Sequence, residues 1–240
     1  MLKVYREQKD KFSFEQLVEI IRILRSPGGC PWDREQTHKS IRNEFIEETY
    51  EAADAIDRES SVDLCEELGD VLLQILLHAQ MASETEGYDI TNVIDGIARK
   101  MILRHPHVFG DVKAETTEAV LNNWDNIKRD EKNQSSFTDT LKSVPMSYPA
   151  LMRASKVQKR SAKAGKLLLD REELFANAQK LLSDIKFGDE SRLGELLFTL
   201  VAVSRSLKLD SEEALNKFTD KFISEFEQEE KQGKLSNSNG

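Results

Sequence analysis

The sequence predicts an all-α protein. Apolar residues recur at intervals of three and four along nearly the whole chain, and strand-like alternation is nearly absent. Proline and glycine are scarce, at 5 and 11 of 240 residues. Hydrophobic residues make up 39% and charged residues 32%, the composition of a packed core beneath a heavily charged surface.

The elements follow in order. A first helix is expected from about Ser13 to Arg25, stopped by SPGG, with SPGGCPWD as a loop that carries Trp32. A second runs from about Thr37 to Asp57, with Ile41, Phe45, Ala52 and Ile56 on one stripe. RESS makes a short turn. A third helix runs from about Val62 to Thr85, with Leu64, Leu68, Val71, Leu72 and Ile75 inward. Asp89 or Thr91 caps a fourth that reaches about Leu103, where HPHVFGD ends it because proline disfavours helix just before itself. A short helix over about Glu118 to Asp130 closes a first domain, residues 1–130.

The polar stretch EKNQSSFTDT opens a linker, residues 131–147. A second helical domain, residues 148–230, contains a helix pair at about Arg171 to Lys186 and Glu190 to Leu207, then a last helix on DSEEALNKFTDKFISEF. Residues 231–240 read as a disordered tail. LGDVLLQILL in the first domain resembles LGELLFTLVA in the second, a hint of duplication.

Several classes are excluded by composition. A net charge of −9 argues against nucleic acid as a bulk partner. The longest apolar run, Val71 to Leu77, is broken by Gln74 and falls well short of a membrane span. Cys30 and Cys65 form no disulfide framework, and the N-terminal stretch lacks a secretory pattern, so a cytoplasmic protein is expected.

The chemistry concentrates in one place. Eleven acids lie between Glu44 and Asp70, with Arg58 as the only base. Like charges three and four apart destabilise a helix, so a run such as FIEETYE calls for compensation or full solvation. Glu48 borders the apolar stripe of the second helix, and Glu67 borders that of the third. Glu51 and Asp70 lie three residues further along each. If the chain folds back near Ser60, Glu51 meets the depth of Glu67, and Glu48 that of Asp70, at about 1.5 Å of rise per residue. Two charges about 5 Å apart cost roughly 3 kcal/mol at an effective dielectric near 20. Either some of these carboxyls stay protonated or a cation sits among them. An all-oxygen donor set suits Mg²⁺ or Mn²⁺, and the lack of histidine argues against zinc. A dense but merely solvated acidic face is the other reading.

EETYE followed by ELGD resembles the EExxE…ExxD signature of the MazG-type nucleoside triphosphate pyrophosphohydrolases. GGCPWDREQTHKSI before it, RHPHVFGD after it and PALMRASKVQKRSAKAG further on are similar to that family too. The resemblance spans about Phe14 to Gly165 and continues more weakly beyond. It implies two tandem MazG-like helix bundles in a homodimer, and hydrolysis of nucleoside triphosphates to monophosphate and pyrophosphate in nucleotide-pool house-cleaning. It also implies Mg²⁺ (or Mn²⁺) held by Glu48, Glu51, Glu67 and Asp70, with Glu47 orienting a ligand or activating water. Lys100 and Arg104, which share a helical face, are candidate phosphate contacts or else cations favoured by a helix C-terminus, and Trp32 either stacks on a base or plugs the bundle end. The second domain departs from the pattern: Glu195 stands in LGE, Arg192 replaces the acid before it, and the preceding helix has no EExxE. It reads as a degenerate domain without a metal site. The rival function is a nucleotide-binding sensor or regulatory partner-binding protein with weak catalysis.

Overall fold

The computed structural model describes residues 5, 6, 9–112, 116, 117, 119, 120, 123, 124, 127, 136–165 and 169–232. Most of the helix expected over 118–130, including Lys128, lies outside these residues. So do positions 131–135 of the expected linker, and 233–240. Among the described residues every regular element is a helix. None is long and apolar enough to cross a membrane. The chain divides into two compact units, residues 1–124 and 125–240.

In the first unit, α1 (Phe14–Arg25) starts at a capping box: Ser13 Oγ accepts from the Gln16 amide, and the Gln16 side chain accepts from the Ser13 amide. It stops where Cys30 N–H turns back to the Leu24 carbonyl at 2.8 Å. A Cβ at Gly29 would lie 2.3 Å from the carbonyl oxygens of Ile23 and Leu24, so only glycine fits that close approach. Trp32 sits not in a loop but in a short helix, α2 (Pro31–Glu35). Proline at its first position costs no hydrogen bond, because that N–H has no intrahelical partner. The Arg25 guanidinium ties three elements together. It donates to the carbonyls of Asp33 and Gln36 and pairs with Glu84 at 2.8 Å, with its side chain only 6% exposed.

The helix expected from Thr37 begins later, as α3 (Arg42–Asp57). Residues 38–41 form a turn instead, because Thr37 and Ser40 exchange side-chain to backbone hydrogen bonds that compete with helix. The chain then reverses through Glu59, at φ 55°, into α4 (Ser61–Thr85), capped by Ser60. Arg58 clamps that reversal, binding Asp54 at 2.7 Å and Asp63 at 2.6 Å. Asp89 caps α5 (Ile90–Arg104), and a short α6 (Pro106–Phe109) follows.

The core of this unit lies at one end. Ile21 of α1, Ile41, and Leu76, Leu77 and Met81 of α4 pack together, with Leu17, Val18 and Leu72 around them. Burying each such side chain contributes roughly 1.5–3 kcal/mol. The expected inward stripes need adjustment: Ile56 and Leu68 are exposed, while Ala55 and Gln74 are buried. The other end of α3 and α4, away from this core, is the acidic seam.

In the second unit, Ser136 caps α7 (Phe137–Lys142), so part of the expected linker is helical. It is tied to α8 (Ala150–Lys163) by Arg160, which donates to the Thr140 carbonyl at 2.5 Å and to Ser143 Oγ at 2.7 Å. α9 (Arg171–Asp184) and α10 (Glu190–Ser206) form an antiparallel pair, and α11 (Ser211–Lys231) completes the unit. The fully buried Gln158 of α8 donates to the Phe198 carbonyl at 2.7 Å and accepts from Arg205 at 3.3 Å.

Candidate metal centre and its surroundings

α3 and α4 bring Glu48, Glu67 and Asp70 together. One carboxylate oxygen from each lies within 4.8 Å of the others, and all three side chains are half-buried. Partial burial and the neighbouring Asp70, Glu51 and Glu67 push the Glu48 carboxyl above the usual carboxylate range. Glu67 is pushed up in the same way, first by desolvation, then by Glu51 and Asp70. Every one of these causes disfavours the charged form. Arg58, the only base in the stretch, is spent on Asp54 and Asp63 at the turn and so does not relieve them.

The remaining sequence-predicted residues fall around this trio. Glu51 is exposed one turn along α3, close enough to hydrogen-bond Glu48. Glu47 is exposed and shares with Glu51, Asn43 and Tyr50 a shallow groove of about 490 Å³. Trp32 is 57% exposed on α2. Lys100 is exposed on α5, but Arg104, one turn later, is only 7% exposed. Its guanidinium lies 5.9 Å from the centroid of the Trp124 ring. Burial thus separates two cations that the helical register puts on one face. His105 caps its helix, with Nδ1 2.6 Å from the Met101 carbonyl.

Two features escape a reading of the sequence. His38 and His78 form a hydrogen-bonded pair beside Glu86. Gln74 is buried with its Oε1 unpartnered, on the face that carries Asp70 and His78. The sequence signal for Gln74 is its place, a polar residue breaking the run VLLQILL four residues from each neighbour.

The chain is similar to known proteins. The MazG nucleotide pyrophosphohydrolase domain matches residues 36–109, which hold the whole carboxylate set. The nucleoside triphosphate pyrophosphohydrolase/pyrophosphatase MazG of Thermotoga maritima is 40% identical over 222 residues, covering 90% of this chain and 85% of that protein. The chain belongs to the MazG family.

Two further relatives bear on how far the likeness extends. The nucleoside triphosphate pyrophosphohydrolase of Escherichia coli K12 is 40% identical over 229 residues, 90% of this chain and 87% of its own length. The uncharacterized protein YabN of Bacillus subtilis is 44% identical over 222 residues, but this chain spans only 45% of it. In all three the likeness runs well past residue 109, through α8 and α9 of the second unit.

Proposed function

We propose that this protein hydrolyses nucleoside triphosphates to the monophosphate and pyrophosphate with Mg²⁺ or Mn²⁺, in nucleotide-pool house-cleaning in the cytoplasm. The meeting of Glu48, Glu67 and Asp70 carries the reading. The donor set fits a hard divalent cation: all ligands are carboxylate oxygens, they face one another within 4.8 Å, and among the described residues no ion pair to a base neutralises them. Glu51 joins the set from the next turn of α3. When bound, the ion supplies Lewis acidity toward the phosphoryl oxygens and lowers the pKa of a coordinated water.

The chain's own residues do the rest. Glu48, Glu67 and Asp70 would hold the ion at the seam, and the charge of that ion would draw the reacting phosphate end there. Glu47, exposed beside Glu51 on the outer groove, takes a proton from the attacking water on a carboxylate oxygen. Lys100 contacts the phosphates from α5, and buried Arg104 fixes the end of that helix against Trp124. Trp32 offers an exposed ring to the substrate. Exposed apolar residues on the first unit, among them Ile56, Leu68 and Ile97, support a homodimer.

The second unit is a degenerate MazG-like domain in this reading. Where the first has Glu67 and Asp70, it has Arg192 and Glu195, paired at 3.3 Å. That pairing also favours a second reading, in which the chain senses nucleotides more than it hydrolyses them. Product analysis separates the two. Monophosphate and pyrophosphate formed from several nucleoside triphosphates, with Mg²⁺ and not with chelator, are expected. Nucleotide binding without turnover overturns the hydrolase in favour of the sensor.

A further inference from the structure

Gln74 of α4 stands one turn past Asp70 and is 6% exposed, yet its Oε1 has no hydrogen-bond partner. A buried acceptor left unpaired has given up water for nothing in return, so native proteins seldom keep one. An apolar residue here would simply continue the run VLLQILL. The amide is accounted for by a donor that the chain itself does not supply.

The layers of the α3–α4 hairpin locate that donor. The antiparallel register that sets Glu51 against Glu67 and Glu48 against Asp70 also sets Glu44 against Gln74, and Ile41 against Leu77. Ile41 and Leu77 belong to the apolar core, whereas Glu48 and Asp70 belong to the carboxylate cluster. Glu44 and Gln74 form the layer between. Glu44 also buries an unpartnered oxygen, Oε2, so the residue across the seam offers Gln74 a second acceptor rather than a donor. His78 is one turn further along α4, and its Nδ1 is engaged by His38. Side chains on a helix lean toward its N-terminus, which on α4 is the direction of Asp70 and not of His78. Gln74 thus leans from the core side toward the carboxylates, and those, once ionised, are acceptors too.

A hard divalent ion brings the missing donor. Mg²⁺ gives up its waters reluctantly and keeps several of them when carboxylates bind it. Each such water is polarised by the ion, which strengthens it as a hydrogen-bond donor. We propose that Gln74 is a positioning residue of the metal centre, whose Oε1 accepts a hydrogen bond from a water of the ion's shell on the core side of Glu48 and Asp70. The inference rests on the metal-dependent reading above. Gln74 touches neither the ion nor the substrate. It acts through that water, fixing where the ion sits between α3 and α4. Outer partners of this kind govern metal affinity by about 10- to 100-fold.

Gln74→Leu separates this role from packing, because the two predict opposite signs. The substitution removes an acceptor that no group in the chain satisfies, so Tm in chelator should hold or rise. Mg²⁺ affinity of the full chain, measured by calorimetric titration without nucleotide, should fall by about tenfold or more. Gln74→Glu keeps an oxygen acceptor in the same place and should bind Mg²⁺ close to the wild-type affinity. A marked fall in Tm of Gln74→Leu in chelator means that Oε1 has a partner within the chain, and it overturns the proposal. Unchanged Mg²⁺ affinity in Gln74→Leu overturns it as well, as does an equal loss in Gln74→Glu. A wild-type chain that binds no Mg²⁺ overturns the metal centre itself, and this inference with it. Mg²⁺ binding undiminished by Gln74→Leu leaves the centre standing and removes Gln74 alone.

Discussion

Glu48 on α3 and Asp70 on α4 hold carboxylate oxygens within 4.8 Å of each other across the helix seam. Arg58 sits at the end of the same hairpin and is bound to Asp54 and Asp63 instead. The hairpin therefore uses the cation at its turn to close that turn and leaves its half-buried acids in mutual repulsion. A proton or a metal ion among the carboxylates would relieve that repulsion, and the two would compete.

That competition fixes a pH dependence. The Glu48 and Glu67 carboxyls are raised above their ordinary value of 4.5. The folded state thus holds protons that the unfolded chain has already released. Their contribution to stability is complete below pH 4.5 and is lost as pH rises through the raised values. Without divalent ions, this pair of groups should lower Tm across that interval. Mg²⁺ binds the deprotonated set, so its stabilising shift should be larger at pH 8 than at pH 5. Thermal unfolding with Mg²⁺ and with chelator at both pH values measures this. An equal shift at the two would mean that the ion binds elsewhere.

Substitution within the set should separate function from stability. Asp70→Asn or Glu51→Gln should lower kcat by more than about a hundredfold, since even outer-shell partners of a metal ligand cost 10- to 100-fold. The same variants should keep or raise Tm in chelator, because a repelling charge is gone, and should lose most of the Mg²⁺-induced shift. A variant that turns over at the wild-type rate removes its residue from the metal centre.

The seam itself is legible in the sequence, because two short rules suffice: the 3.6-residue period and an antiparallel reversal near Ser60. Those rules place Glu48, Glu67 and Asp70 together without knowledge of anything distant. Where legibility fails, the cause is non-local. His38 lies in a turn set by Thr37 and Ser40, and its partner is 40 residues away. Arg104 has the register of a surface cation, yet it is buried, with its guanidinium over Trp124. Leu68 and Ile56 have the period of core residues, but the helical period does not say which side of a hairpin the other helices cover.

Arg25 should matter far more than its neighbour Arg22. Both carry an ion pair, but the Arg25 side chain is 6% exposed and also satisfies two backbone carbonyls, whereas Arg22 is 55% exposed and pairs only with Glu19. Arg25→Ala should cost on the order of 3 kcal/mol, because it strands buried acceptors and loosens α2 from α4. Arg22→Ala should cost about 0–1 kcal/mol. Denaturant unfolding of the two variants compares them directly, and similar losses would mean that Arg25 is solvated in solution.

The second unit yields the last prediction. If the second unit is the degenerate MazG-like domain proposed above, Arg192 and Glu195 stand where Glu67 and Asp70 stand in the first unit, and their pairing at 3.3 Å puts a guanidinium there. An arginine cannot be deprotonated in the working pH range, so it excludes a divalent cation from that carboxylate. The pair is exposed, and an exposed pair at this helical spacing contributes about 0.3–0.5 kcal/mol. Arg192→Ala and Glu195→Ala should therefore each leave Tm, Mg²⁺ affinity and Mg²⁺-dependent turnover close to wild type. Calorimetric titration of Mg²⁺ into the full chain should also give the same stoichiometry with or without Glu195. A drop in stoichiometry in Glu195→Ala would show that the second unit binds metal after all, and that the chain carries two centres rather than one.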